Sequence, residues 1–123
     1  MTVLLVYHEK QLRQLYHDLL KTQDAEITYA EDIASALLEL INHDINLILL
    51  DGSYKPAEIS RFLNIIHHKP DWQSLPIILT NYHHSIAELG DIAHDCNLHH
   101  FSLITHSPDQ LLQLIAKLTI NSS

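Results

Sequence analysis

The chain has 123 residues, 46% hydrophobic and 18% charged, which is ordinary usage for one soluble domain with a real core. Seven basic residues against fifteen acidic ones give a formal charge of −8. There is no basic stripe to displace counterions, so nucleic acid is not expected as a direct partner. The eleven histidines would reverse that charge if all were protonated, so the surface field should depend strongly on mildly acidic pH. A single cysteine, Cys96, rules out an internal disulfide and fits a reducing compartment. No basic leader precedes the first apolar run, and no run approaches the ~20 residues of a membrane span. A cytoplasmic protein is expected.

Thr2 to Val6 (T-V-L-L-V) predicts a short buried strand. Leu12, Leu15 and Leu19 then recur at i, i+3, i+7, with Lys10, Arg13, Asp18 and Lys21 opposite, which predicts an amphipathic helix. Ala25 to Ala30 alternates polar and apolar, as an edge strand would. Ile33, Ala36, Leu37, Leu40 and Ile41 follow the template of a helix with one apolar face. Leu47 to Leu50 is an unbroken apolar run, the pattern of a strand buried on both faces in the middle of a parallel sheet. It stops on Asp51, with Gly52-Ser53 as a breaker.

Pro56 suits the first position of a helix, whose stripe is Ile59, Phe62, Leu63 and Ile66 and whose end is His67-His68-Lys69-Pro70. Leu75 to Thr80 predicts another buried strand. Ile86, Leu89 and Ala93 predict a short helix interrupted by Gly90, and Phe101 to Ile104 a fifth strand. Ser107-Pro108-Asp109-Gln110 is a capping box opening a last helix through Leu111, Leu114, Ile115 and Leu118.

Five repeats of strand then helix, joined by short loops, imply parallel strands and right-handed crossovers. The expected fold is a three-layer α/β sandwich of (βα)5 type, one domain over residues 1–123 with no output domain attached. In open α/β sheets, ligands sit beyond the carboxyl ends of the strands, and Asp51 ends the central one.

These residues resemble the receiver domain of two-component response regulators, a flavodoxin-like fold with strand order 2-1-3-4-5. The segment I-T-Y-A-E-D, then A-L-L-E-L-I, then N-L-I-L-L-D, within residues 26–51, matches the family's second strand, second helix and third strand in spacing. The resemblance implies that Asp51 stands at the phospho-acceptor position, Thr80 at the switch hydroxyl and Phe101 at the aromatic that moves with it. It also implies departures. Tyr7 and His8 occupy the two positions of the acidic pair that holds Mg²⁺, and neither is a good hard-oxygen substitute. Glu9 is the nearest acidic replacement, one step off register. Ile104 stands where the family's phosphoryl-binding lysine would be, Asn81 follows the switch where a small residue is usual, and Pro56 falls one residue late.

Phosphoryl transfer depends on positioning and charge, so these losses imply a degenerate receiver that acts through protein contacts. Its partners would be a sensor histidine kinase or an effector, and no cofactor is expected beyond Mg²⁺ if Asp51 is phosphorylated. In such a chain, Asp51 would cap its own loop or bond to His8. Receivers also pair through the fourth helix, fifth strand and fifth helix. Here that surface, with Ile86, Leu89, His94, His99, His100, Ser102, Leu103 and Tyr82, would carry a partner or a homodimer.

Two alternatives stand beside this reading, and a third arrangement is set aside. The first is a true phosphorelay receiver in which Glu9 and Asp51 recruit Mg²⁺. The second is a metal- or pH-sensing module using His8, Asp51, His83 or His84, and His106, with the doublets His67-His68 and His99-His100 at the opposite end of the sheet. The third, a Ser53-His8-Asp51 triad, lacks a G-x-S-x-G elbow in a chain with two glycines, and catalysis is not expected.

Overall fold

The computed structural model of the chain describes residues 1–119; the last four positions of the expected domain, 120–123, lie outside the described residues. Five parallel strands, β1 (Thr2–Val6), β2 (Glu26–Ala30), β3 (Leu47–Asp51), β4 (Ile77–Thr80) and β5 (Leu98–Phe101), form one sheet in the order β2-β1-β3-β4-β5. Helices α1 (Lys10–Lys21) and α5 (Pro108–Thr119) cover one face. Helices α2 (Ile33–Asn42), α3 (Pro56–His67) and α4 (Ile92–Asp95) cover the other. This is the flavodoxin-like sandwich expected. None of the described helices is long and apolar enough to cross a membrane.

Every residue of β3 is buried, as its unbroken apolar run requires of a central strand between two helical layers. Successive side chains alternate between those layers. Leu47 and Leu49 pack toward α1 and α5, while Ile48 and Leu50 pack toward α2 and α3. Helix ends follow local chemistry. Asp32 caps α2 by accepting from the Ser35 amide at 2.7 Å. At α5 the capping box closes reciprocally: the Ser107 amide donates to Gln110 Oε1 at 2.7 Å and the Gln110 amide to Ser107 Oγ at 3.3 Å.

Four expectations are corrected. The buried face of α1 carries Tyr16 and Leu20 with Leu12 and Leu19 at its margin, while Leu15 is exposed. The i, i+4, i+8 row of Leu12, Tyr16 and Leu20 defines the face better than the leucines did. On α2, Ile41 is 66% exposed, because Ala36 and Leu40 already fill the space above β1 and β2. The fifth strand is Leu98–Phe101 and not Phe101 to Ile104; Phe101 ends it, and a turn follows in which the His106 amide donates to the Ser102 carbonyl at 2.8 Å. His99 and His100 therefore lie within β5, opposite Ile78 and Leu79, and not at the far end of the sheet. The interruption expected at Gly90 is present: residues 86–95 form a 3₁₀ turn and a four-residue α4 split there, where a φ of 80° lies in the left-handed region that glycine tolerates.

Candidate functional site

Parallel register aligns four residues in one row at the carboxyl edge. Asp51 pairs with Thr80, and Thr80 with Phe101. Val6 pairs with Leu50, so Tyr7, whose amide continues the ladder to the Ala30 carbonyl at 3.0 Å, is level with Asp51. Residues in one row of a parallel sheet share a face, here the α1/α5 side. Asp51 and Thr80 are the only buried polar or charged side chains among the described residues besides the tyrosines.

Tyr7 fills the row with an aromatic ring. It is 1% exposed, stacks on Tyr16 with centroids 4.9 Å apart, and places its Oη 2.6 Å from Thr80 Oγ1. Thr80 Oγ1 in turn donates to the Leu50 carbonyl at 3.2 Å. A hydroxyl has one proton, so the Tyr7 phenol is the donor to Thr80 and the chain runs Tyr7 to Thr80 to Leu50. Burial, with Tyr16 and Asp51 adding to it against the Thr80 bond, pushes the Tyr7 phenol well above its ordinary value. Burial also raises the Tyr16 phenol. Both remain neutral phenols.

Asp51 is 3% exposed. Its Oδ1 accepts from the Ser53 amide at 2.9 Å, an Asx-type turn that caps the following loop. Its Oδ2 is buried and has no hydrogen-bond partner among the described residues. The loop is drawn against β4 by Gly52, whose amide donates to the Thr80 carbonyl at 2.7 Å. A Cβ there would lie 2.6 Å from that carbonyl oxygen and from the Tyr82 backbone, so only glycine fits. On the other side, Tyr54 Oη donates to the Glu31 carbonyl at 2.6 Å, tying the loop after β3 to the loop after β2. Burial, then the charge of Asp51, raises the Tyr54 phenol as well. Asn81, at φ 54°, joins β4 to β5 through its amide to the Phe101 carbonyl at 2.9 Å, and its side chain reaches Tyr16 and the Leu103 amide.

The remaining sequence candidates stay apart. His8 and Glu9 are exposed at the head of α1, and Glu9 makes no side-chain cap. Ile104 is 79% exposed in the turn after β5. His84 pairs with Glu88 at 3.1 Å, and His106 lies against Phe101 and Thr105. His83 is exposed. No three His, Cys, Asp or Glu side chains among the described residues converge to hold a metal. As donors for Mg²⁺, which takes hard oxygens in an octahedron, the row offers one carboxylate and a neutral phenol already committed to Thr80. That set does not fit the ion.

Tyr16, Tyr54 and the close approach at Gly52 are site features that the sequence reading missed. Tyr16 was within reach of it, four residues past Leu12 on the same helix face.

Solved structures share this arrangement of elements. The chemotaxis response regulator CheY4 of Vibrio cholerae is 19% identical over 95% of this chain and 97% of its own, with a TM-score of 0.76. A two-component response regulator from Clostridium difficile is 12% identical over 100% and 98%, with a TM-score of 0.82. The response regulator TrrA of Thermotoga maritima, solved in complex with Mg²⁺ and BeF, is 21% identical over 95% and 97%, at 0.77. No family model and no curated protein sequence matches the chain. The chain has the fold of response-regulator receiver domains.

Proposed function

We propose that this chain is a degenerate receiver module of two-component signalling that works by binding other proteins, with Mg²⁺-dependent phosphorylation of Asp51 weak or absent. The observation that carries the reading is the 2.6 Å contact from buried Tyr7 Oη to Thr80 Oγ1, on the row of Asp51. Where a receiver would place a carboxylate to share a cation, this chain places a neutral ring that occupies the space and holds the hydroxyl of Thr80. Ile104, exposed and apolar, supplies no charge for a phosphoryl group. Thr80 and Phe101 are the proposed switch residues, with Thr80 held by Tyr7 instead of by a phosphoryl oxygen.

The partners are a sensor histidine kinase or an effector protein, and the module binds without turning over a substrate. The surface proposed for them lies around α4, β5 and α5. There Leu89 is buried and Tyr82, Ile86, His99, Ser102 and Leu103 are partly buried, so its fully outward groups are His94 and His100. This face is also the one that would pair two copies.

One observation favours the alternative, a true phosphorelay receiver: Asp51 Oδ2 is buried without a hydrogen-bond partner among the described residues. A carboxylate oxygen left in that state normally has a use. The two readings separate by intact mass after incubation with a small phosphodonor and Mg²⁺, wild type beside Asp51→Ala. The degenerate receiver gives no adduct. A single phosphate adduct on wild type that vanishes in Asp51→Ala would overturn it and make the chain a phosphorelay acceptor.

A further inference from the structure

We propose a second site, at the opposite end of the sheet from Asp51: a docking cavity for a basic segment of a partner protein, which seats an arginine side chain against Trp72. The cavity, about 690 Å³, opens at the amino ends of β3 and β4, between the end of α2 and the 3₁₀ turn Pro70–Trp72. Ile41, Asp44, Lys69, Asp71, Trp72 and Leu75 give it its character. The volume is in the range of sites that enclose a small group, about 300–1,000 Å³.

Three features of different origin favour a cation there. The last turn of α2 lines the cavity, and a helix C-terminus presents carbonyl oxygens and partial negative charge. That last turn carries no basic residue of its own to offset them; the His43 amide caps the Glu39 carbonyl, and its imidazole is turned to the Glu39 carboxylate at 3.2 Å. Asp44 and Asp71 add two exposed carboxylates. Trp72 packs one side on the core, and the Lys69 ammonium stands 5.3 Å from its ring centroid. The indole face thus already draws a cation from its own chain, as ring quadrupoles do.

The group that fits all three is a guanidinium. It is planar, so in the place of the Lys69 ammonium it stacks on the indole while donating to carboxylates and carbonyls in its own plane, which an ammonium does not do. Its methylene stem would lie on the exposed apolar surface of Ile41, with Leu38, 61% exposed, one turn along α2 for a neighbouring apolar residue. A net charge of −8 draws a basic partner by long-range attraction. A bare metal ion is disfavoured because no three ligating side chains converge among the described residues.

Trp72 is the only tryptophan, so its fluorescence reports on this cavity alone. The probe is a blocked peptide of alternating arginine and glycine, with a glutamate-for-arginine peptide as control. A saturable change in Trp72 emission with the arginine peptide is expected, weakened by added salt. Asp44→Asn/Asp71→Asn, both at exposed positions, should weaken binding by about tenfold, as loss of charges facing a cation does. Lys69→Ala removes the resident cation and should tighten it by about threefold. Trp72→Leu, followed by anisotropy of a dye-labelled peptide, should bind more weakly than wild type. No saturable change, equal binding of the acidic peptide, or an aspartate variant that binds as wild type would each overturn the proposal. So would an emission shift that tracks protein concentration without peptide, which would assign the face to a second copy.

Discussion

The two faces of the sheet are built on different principles. Toward α2 and α3 the fully buried core is aliphatic apart from Phe62, with Tyr54, Trp72 and Tyr82 at its margin, and its buried strand residues (Leu4, Val6, Ala30, Ile48, Leu50, Ile77, Leu79) carry no polar atom in their side chains. Toward α1 and α5 the core holds Tyr7, Tyr16 and Phe101, and the row at its carboxyl edge adds Asp51 and Thr80. Aliphatic packing tolerates many sequences of suitable volume. A buried hydroxyl does not, because each needs a partner at hydrogen-bond distance. Specific chemistry is thus concentrated on one face, and the other serves as its rigid backing.

The comparison breaks most visibly on the aliphatic side. Phe62→Ala, fully buried on α3, should cost about 3–5 kcal/mol in urea unfolding, the range for a large core truncation. A loss under about 1 kcal/mol would mean that α3 is not the backing described here. Next comes the joint between the faces. Gly52→Ala puts a methyl group 2.6 Å from backbone atoms of Thr80 and Tyr82, which cannot move aside as side chains do. A cost of about 1–3 kcal/mol is expected, with proteolytic cleavage moving to the loop after β3. Unchanged stability would show that this loop does not rest on β4.

The polar side should respond less in total but more specifically. Tyr7→Phe keeps the ring against Tyr16 and removes only the donor to Thr80, so a loss of about 1–2 kcal/mol is expected. Tyr7→Phe/Thr80→Val should then be more stable than the sum of its two single changes, since no hydroxyl is left unpartnered. Additive losses would mean that the phenol and the threonine are not coupled, and would remove the central support for the degenerate receiver.

How much of this could be read from the sequence follows the same division. Element type and order were legible, because a five-residue buried run such as Leu47–Asp51 and the stripe of α3 have strong periodic signals. The row Tyr7, Asp51, Thr80 and Phe101 was legible only as separate positions, given by resemblance. What joins them is register, and register is a tertiary fact. That Tyr7 turns inward to Thr80, 73 residues away, has no local signature. The shift of β5 has a local cause: His99 and His100 broke the apolar run expected of a strand, yet an edge strand with one partly solvated face accepts them. Exposure of Ile41 was hidden because a periodic template does not say how wide the buried stripe is.

Those two histidines give the smallest effect, and it falls on the edge between the faces. Burial, then the Lys117 charge, lowers the pKa of His99; burial, then His99, lowers that of His100. In the unfolded chain both should titrate near the ordinary value of about 6.5. As pH falls through that value, the unfolded chain takes up protons first, so stability is lost on acidification and regained at neutral pH. Partial exposure of both rings keeps the effect modest. Urea midpoints for wild type should therefore drop between neutral and mildly acidic pH, and His99→Gln/His100→Gln should flatten that drop. Parallel pH curves for the two proteins would show that β5 accepts the protons without cost. In that case its histidine edge would present the same surface to a partner across the whole range.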